Sequence, residues 1–151
     1  MEDRAMARAE VSTTIKRPVE DVFAVVSDIE NTPKWTSGAL EAKQTSPGPI
    51  GVGTTTHSVN KFLGRRIEND SEVTEFEPNR KFAWQSKSGP FPVQASVTLA
   101  QIEGDTRVNL TIEAEPGGFF KLAEPLIVSS ARRQFQSDLD NLKDLMEANA
   151  L

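Results

Sequence analysis

The sequence predicts an α+β domain in which a curved, seven-stranded antiparallel sheet wraps around one long C-terminal helix. Three observations carry this prediction. Ile127, Val128, Ala131, Phe135, Leu139, Leu142, Leu145 and Met146 recur at helical spacing and share one arc of about 120°. Upstream, seven segments alternate apolar and polar residues between turn signals. Two short helical patterns interrupt them, both between the first and second strands. An antiparallel sheet leaves one face to water and must cover the other, and only the last helix is long enough to do so. Twisted strands curling around a single helix do not fill their own concavity, so a cavity between sheet and helix is expected.

The first strand covers residues 7–16. Ala9, Val11, Thr13 and Ile15 lie on one side, and Arg8, Glu10, Ser12, Thr14 and Lys16 on the other. Residues 1–6 read as a frayed, disordered tail. Pro18 fits the first turn of a helix, where its missing N–H costs nothing, and Glu20 and Asp21 suit the dipole there. Val19, Val22, Phe23 and Val26 form its apolar stripe, and Asp28 ends it. Thr32 and Pro33 cap and start a second short helix that carries Trp35.

Residues 40–45 form a weakly patterned strand. Pro and Gly between 47 and 51 make a turn, and residues 54–62, rich in Thr and Val, make the next strand. Leu63-Gly64 is a hairpin signal leading into residues 65–76. Further turns at 77–80, 88–90 and 103–105 separate strands at 81–87, 91–102 and 106–115. Alternation is clearest in Val93, Ala95, Val97 and Leu99, and in Val108, Leu110 and Ile112. Pro116, Gly117 and Gly118 then break the sheet. Leu122 and Leu126 fall off the main apolar arc of the last helix, and Pro125 removes the bond back to residue 121. Two readings share this break: residues 119–124 form a hinged flap over the cavity mouth, or Pro125 simply starts the long helix.

The length, 151 residues, suits one domain spanning 1–151 with a real core. Cysteine is absent, which excludes a disulfide framework and any Cys-based nucleophile or metal site. With a charged start that lacks an apolar run, the expected location is cytoplasmic. No stretch approaches the ~18 apolar residues of a membrane span. A net charge of −5 disfavours a nucleic-acid partner, and the pairs Arg65–Arg66 and Arg132–Arg133 read as solvated surface. No cofactor or metal is expected, and the chain is expected to be a monomer or homodimer.

Candidate chemistry is sparse. His57 is the single histidine. It is either a general acid/base in the cavity or a polar strand residue, and the second reading is favoured because no partner group can be placed beside it. One His without Cys does not make an ordinary transition-metal site. Trp35 and Trp84, with Phe62, Phe91, Phe119 and Phe120, are candidate aromatic walls, although most buried aromatics only pack. Val59, Ile67 and Leu126 are apolar lining candidates. Thr56, His57, Ser130 and Asp138 are the candidate polar groups. Asp138 sits at the edge of the apolar arc and is read as solvated, since a buried unpaired carboxylate is costly. Arg132 borders the same arc, where it either pairs with an inner acid or snorkels to water. Tyrosine is absent, so the cavity has no phenol to steer enolates.

Several local phrases resemble one family. They are Arg17-Pro18-Val19-Glu20-Asp21-Val22-Phe23, Val26-Ser27-Asp28 followed by Pro33-Lys34-Trp35, Gly51-Val52-Gly53-Thr54 and Phe62-Leu63-Gly64-Arg65. Val73-Thr74-Glu75-Phe76-Glu77-Pro78, Phe82-Ala83-Trp84 and Gly104-Asp105-Thr106-Arg107-Val108 complete the set. In this order and spacing they resemble the helix-grip superfamily of START domains and the birch-pollen allergen, and most of all its bacterial polyketide cyclase/dehydrase-like branch. The resemblance implies a deep apolar cavity and binding or transfer of lipids, sterols or polyketides. The expected function is therefore binding of a small hydrophobic molecule. The alternatives are a cyclase/dehydrase-type enzyme, with catalysis the less favoured reading, and a protein-interaction module using the exposed helix face.

Overall fold

The computed structural model describes residues 7–90, 92–115 and 124–151. Seven antiparallel strands form one sheet: β1 (Ala7–Ile15), β2 (Ala39–Gln44), β3 (Thr55–Phe62), β4 (Arg65–Glu77), β5 (Lys81–Ser88), β6 (Val93–Ile102) and β7 (Asp105–Ala114). Their order in space is β1-β7-β6-β5-β4-β3-β2, so β1 and β2 are the edges although they are neighbours in sequence. Between them lie α1 (Val19–Val26), a 3₁₀ turn (Ile29–Asn31) and α2 (Thr32–Trp35), and α3 (Glu124–Glu147) follows β7. This is the expected helix-grip arrangement.

Element ends match the sequence reading to within a residue or two, and the differences have causes. Pro18 is the N-cap of α1, with extended ψ of 151°, and the helix starts at Val19. Asp28 does more than end α1: its carboxylate accepts the Glu30 N–H at 3.2 Å and starts the unforeseen 3₁₀ turn. Pro33 sits in the first turn of α2. Pro125 lies in the first turn of α3, where no intrahelical N–H is required of it. The proposed flap, except for Glu124 at the start of α3, lies outside the described residues.

α3 is tied to β1 at one sheet edge and to the chain just before β2 at the other. On one side Gln136 Nε2 donates to the Ser12 carbonyl at 3.1 Å and Lys143 Nζ to the Thr14 carbonyl at 2.9 Å, both on β1. On the other, the chain entering β2 passes close under the helix at Ser37 and Gly38. A Cβ on Gly38 would stand 2.9 Å from the Lys61 carbonyl and 2.5 Å from Gln134 Nε2, so only glycine lets helix and hairpin approach this closely. The C-terminal end of α3 is held by Arg17, whose Nη1 donates to the Met146 carbonyl at 2.7 Å and to Asn149 Oδ1 at 2.9 Å. The Met146 carbonyl also accepts the Asn149 N–H at 3.0 Å, so Arg17 adds a second bond at the helix end.

The main core joins α1, α3 and the concave sheet face. Val22, Leu142 and Met146 are fully buried there, and Leu139 nearly so. An aromatic string runs through it: Phe23 to Phe76 at 5.4 Å between centroids, Phe76 to Phe82 at 6.0 Å, and Phe82 to Trp84 at 5.3 Å. A β-bulge between Val73 and Glu75 shifts the alternation, so that Phe76 rather than Glu75 turns inward. A separate small cluster of Ile67, Ile127 and Phe62 ties the start of α3 to the β3–β4 hairpin.

Candidate functional site

Between these two clusters the sheet and α3 stand apart and enclose a cavity of about 310 Å³. Its position follows from side-chain size. Where α3 carries Leu139, Leu142 and Met146 the gap is filled. Where it carries Val128, Ala131 and Gln134, the facing strands carry Ala9, Ala95, Ala114 and small hydroxyl residues, and the gap stays open. Trp84 and Phe82 wall it on the sheet side, and Trp35 of α2 closes it beside the helix.

Of the sequence candidates, Trp35, Thr56, Phe62, Ile67 and Trp84 lie on this wall. Four do not. His57 follows Thr56 on β3, and successive strand residues point to opposite faces, so it turns away from the cavity. There its Nδ1 lies 2.8 Å from Asp70 Oδ1, and its Nε2 3.4 Å from Glu68. The hydrogen bond to Asp70 raises the His57 pKa, and the same bond, with a second from Ser88 Oγ, lowers that of Asp70. Val59 shares the parity of His57 and is buried without lining the cavity. Leu126 is 70% exposed, one helical position before the inward Ile127. Ser130 sits on the solvent side of the wall, 3.4 Å from Arg133 Nη2. Phe91, Phe119 and Phe120 lie outside the described residues.

Asp138 is the main correction. It is only 2% exposed and lines the cavity. Its Oδ1 accepts both the Ser37 N–H and the Ser37 hydroxyl, each at 3.0 Å. Those two bonds offset part of the burial cost that argued for a solvated position. Burial nonetheless dominates, and the carboxyl pKa is raised above the ordinary carboxylate value. Arg132 does not pair with it and is exposed.

Among the described residues, four buried side-chain polar atoms lack a hydrogen-bond partner: Trp35 Nε1, Thr36 Oγ1, Asn69 Oδ1 and Asp138 Oδ2. All four belong to residues that line this cavity. Three of them sit at the junction of α2 and α3, where Asn141 Nδ2 also binds the Trp35 carbonyl at 3.3 Å. Native proteins leave few such atoms unpaired, so their concentration in the lining of one space is unusual. Sequence reasoning missed Thr36, Asn69 and Gln134 because none carries a local motif. Among the described residues no group of three His, Cys, Asp or Glu side chains is arranged to hold a metal, and no helix is long and apolar enough to cross a membrane.

Comparison with known proteins agrees with the geometry. Residues 6–147 match the family described as polyketide cyclase / dehydrase and lipid transport. An uncharacterized 17.2 kDa protein of Streptomyces lincolnensis is 27% identical over 144 residues, covering 94% of this chain and 91% of the relative. Among solved structures, TTHA0849 of Thermus thermophilus superposes with a TM-score of 0.82 at 19% identity, over 95% of this chain and 99% of that one. The Zhui aromatase/cyclase of Streptomyces sp. R1128 gives 0.80 at 15% identity, over 97% of each chain. A START superfamily protein of Mycobacterium smegmatis gives 0.70 at 14%, over 96% and 97%. At these identities the structures speak for the fold, and the family match, which spans nearly the whole sequence, speaks for descent: this chain belongs to the polyketide cyclase / dehydrase and lipid transport family.

Proposed function

We propose that this protein binds a small, largely hydrophobic molecule in the cavity under α3, with the molecule's polar end at the α2–α3 junction. The observation that carries this reading is the set of unpartnered Trp35 Nε1, Thr36 Oγ1 and Asp138 Oδ2 at one end of an otherwise mostly apolar space. Burial of apolar ligand surface supplies most of the affinity, at about 25 cal/mol per Å², and the few polar atoms set orientation. The indole N–H donates, and the carboxyl either accepts or, when protonated, donates.

The test uses delipidated protein and follows Trp35 and Trp84 fluorescence during titration with palmitate, a sterol and flavone, with native mass spectrometry to count bound molecules. Saturable one-to-one binding of at least one probe is expected. Trp84→Leu and Asp138→Asn should weaken or reorder that binding, while His57→Ala should leave it unchanged. Absence of saturable binding by every probe refutes the reading.

A second reading is an enzyme of the cyclase/dehydrase kind, and one observation favours it. A carboxyl with a raised pKa, enclosed in the cavity and oriented by Ser37, is suited to hand a proton to a bound carbonyl or hydroxyl. Turnover of a bound ring-forming or water-eliminating substrate that collapses in Asp138→Asn would promote this reading over carriage.

A further inference from the structure

The cavity is sided in a way that the ligand must match. The inward residues of β3 are Thr56, Ser58 and Asn60, those of β4 include Asn69 and Ser71, and β5 adds Ser86. Register places three of these hydroxyls in one line across adjacent strands, since Thr56 pairs with Ser71 and Ser71 with Ser86. Neighbouring strands lie about 5 Å apart, so the hydroxyls follow one another at about that interval. The same line continues into β6, β7 and β1 as hydrocarbon: Ser86 Oγ accepts the Val93 N–H at 3.0 Å, Val93 pairs with Ala114, and Ala114 with Ala7. The next line along the sheet, through Trp84, Ala95, Ile112 and Ala9, is apolar throughout.

The hydroxyl line is not used up by the protein. Neither Thr56 nor Ser71 gives its side-chain oxygen to another described residue, and Ser86 Oγ, which accepts from Val93, keeps its proton to donate. A face that only packed against a helix would carry the aliphatic residues seen on β6 and β7. The inward side of three consecutive strands instead carries six hydroxyl or amide side chains, of which Asn60 and Ser58 bond to each other at 3.3 Å and the Thr56–Ser71–Ser86 line is left facing the cavity.

We infer that Thr56, Ser71 and Ser86 read oxygen substituents set along one edge of a rigid ring-shaped ligand, whose opposite, bare edge lies against β6, β7 and β1. This rests on the binding reading given above and narrows it: plain acyl chains, which have no oxygens along their length, fit the site poorly. Oxygens placed meta to one another on a fused ring are about 5 Å apart, the interval the strands impose. Each bond formed this way is worth about a fivefold change in affinity, because it replaces a bond to water.

The experiment compares chrysin with flavone, which share one skeleton and differ by two meta hydroxyls on one ring, with palmitate as a third probe. A pocket of hydrocarbon walls prefers flavone, the less hydrated of the pair. The hydroxyl line predicts the reverse, with chrysin bound at least fivefold more tightly. In Thr56→Val/Ser71→Ala, a shape-conserving pair checked for an unchanged melting curve, the ratio of chrysin to flavone affinity should fall to one or below. Equal affinities in the parent, or a chrysin preference that survives the double substitution, overturns the inference. Binding of palmitate with neither ring compound bound overturns it and leaves the carrier reading standing, whereas failure of all three probes removes both.

Discussion

Leu139→Ala and Ile127→Ala delete similar side chains from the same helix, and the cavity makes their costs unequal. Leu139 is 1% exposed in the filled part of the core. Losing about three methylene equivalents forfeits about 2.4 kcal/mol, and an unfilled hole on the order of 50 Å³ adds about 1.2, for a loss of about 3.5 kcal/mol. Ile127 is 9% exposed, lines the cavity and belongs to the small cluster with Phe62 and Ile67. Its removal widens a space that already exists, and alanine is the better helix former by a few tenths of a kcal/mol, so the loss should be about 1–2 kcal/mol. Urea unfolding at constant m-value measures both, and the Leu139 variant should melt about 10 °C lower. Equal losses would mean that α3 packs uniformly along its length, and a Leu139 loss under about 1 kcal/mol would mean that the helix does not cover the core.

Other consequences are as direct. Asp138 has a raised pKa in the folded state, so the native protein binds its proton more tightly than the unfolded chain does. Its contribution is therefore fully present below the ordinary carboxylate value and falls as pH rises from there through the raised folded value. Asp138→Asn should abolish that slope and be the more stable form at neutral pH; a less stable Asn variant there would refute the sign. Gly38→Ala should destabilise by about 1–3 kcal/mol, because its Cβ meets the Lys61 carbonyl as well as Gln134. Adding Gln134→Ala should restore only part of the loss in the same unfolding assay, and full restoration would place the strain on the side chain alone.

Most of the fold was readable because its signals are local. Alternation in β6 and β7, turn residues between strands and the 3.6-residue stripe of α3 each sit within one stretch of chain. The site was less readable because its determinants are not local. Ser37 lies 101 residues from Asp138, and nothing near either announces the two hydrogen bonds that keep the carboxyl indoors. The hydroxyl line depends on register across β3, β4 and β5, and β4 carries shifts at Asp70/Ser71 and at Val73/Glu75 that no count of alternating residues reveals. Thr56 and His57 were both candidates for one wall, yet adjacent strand residues cannot share a face.

The side chains that α3 extends to β1 have a consequence for how this architecture diversifies. Gln136 and Lys143 occupy carbonyls that another strand would otherwise take, so the helix stands as an eighth stave that is attached by side chains and not by a ladder. A true stave fixes the bore of a barrel through its pairing geometry. This one can tilt or slide by exchanging a few residues, and the sheet keeps its register while it does so. The enclosed space is thus set by helix side chains together with the strand side chains they face, and descendants can retune it from the helix side without renegotiating the pairing of the seven strands.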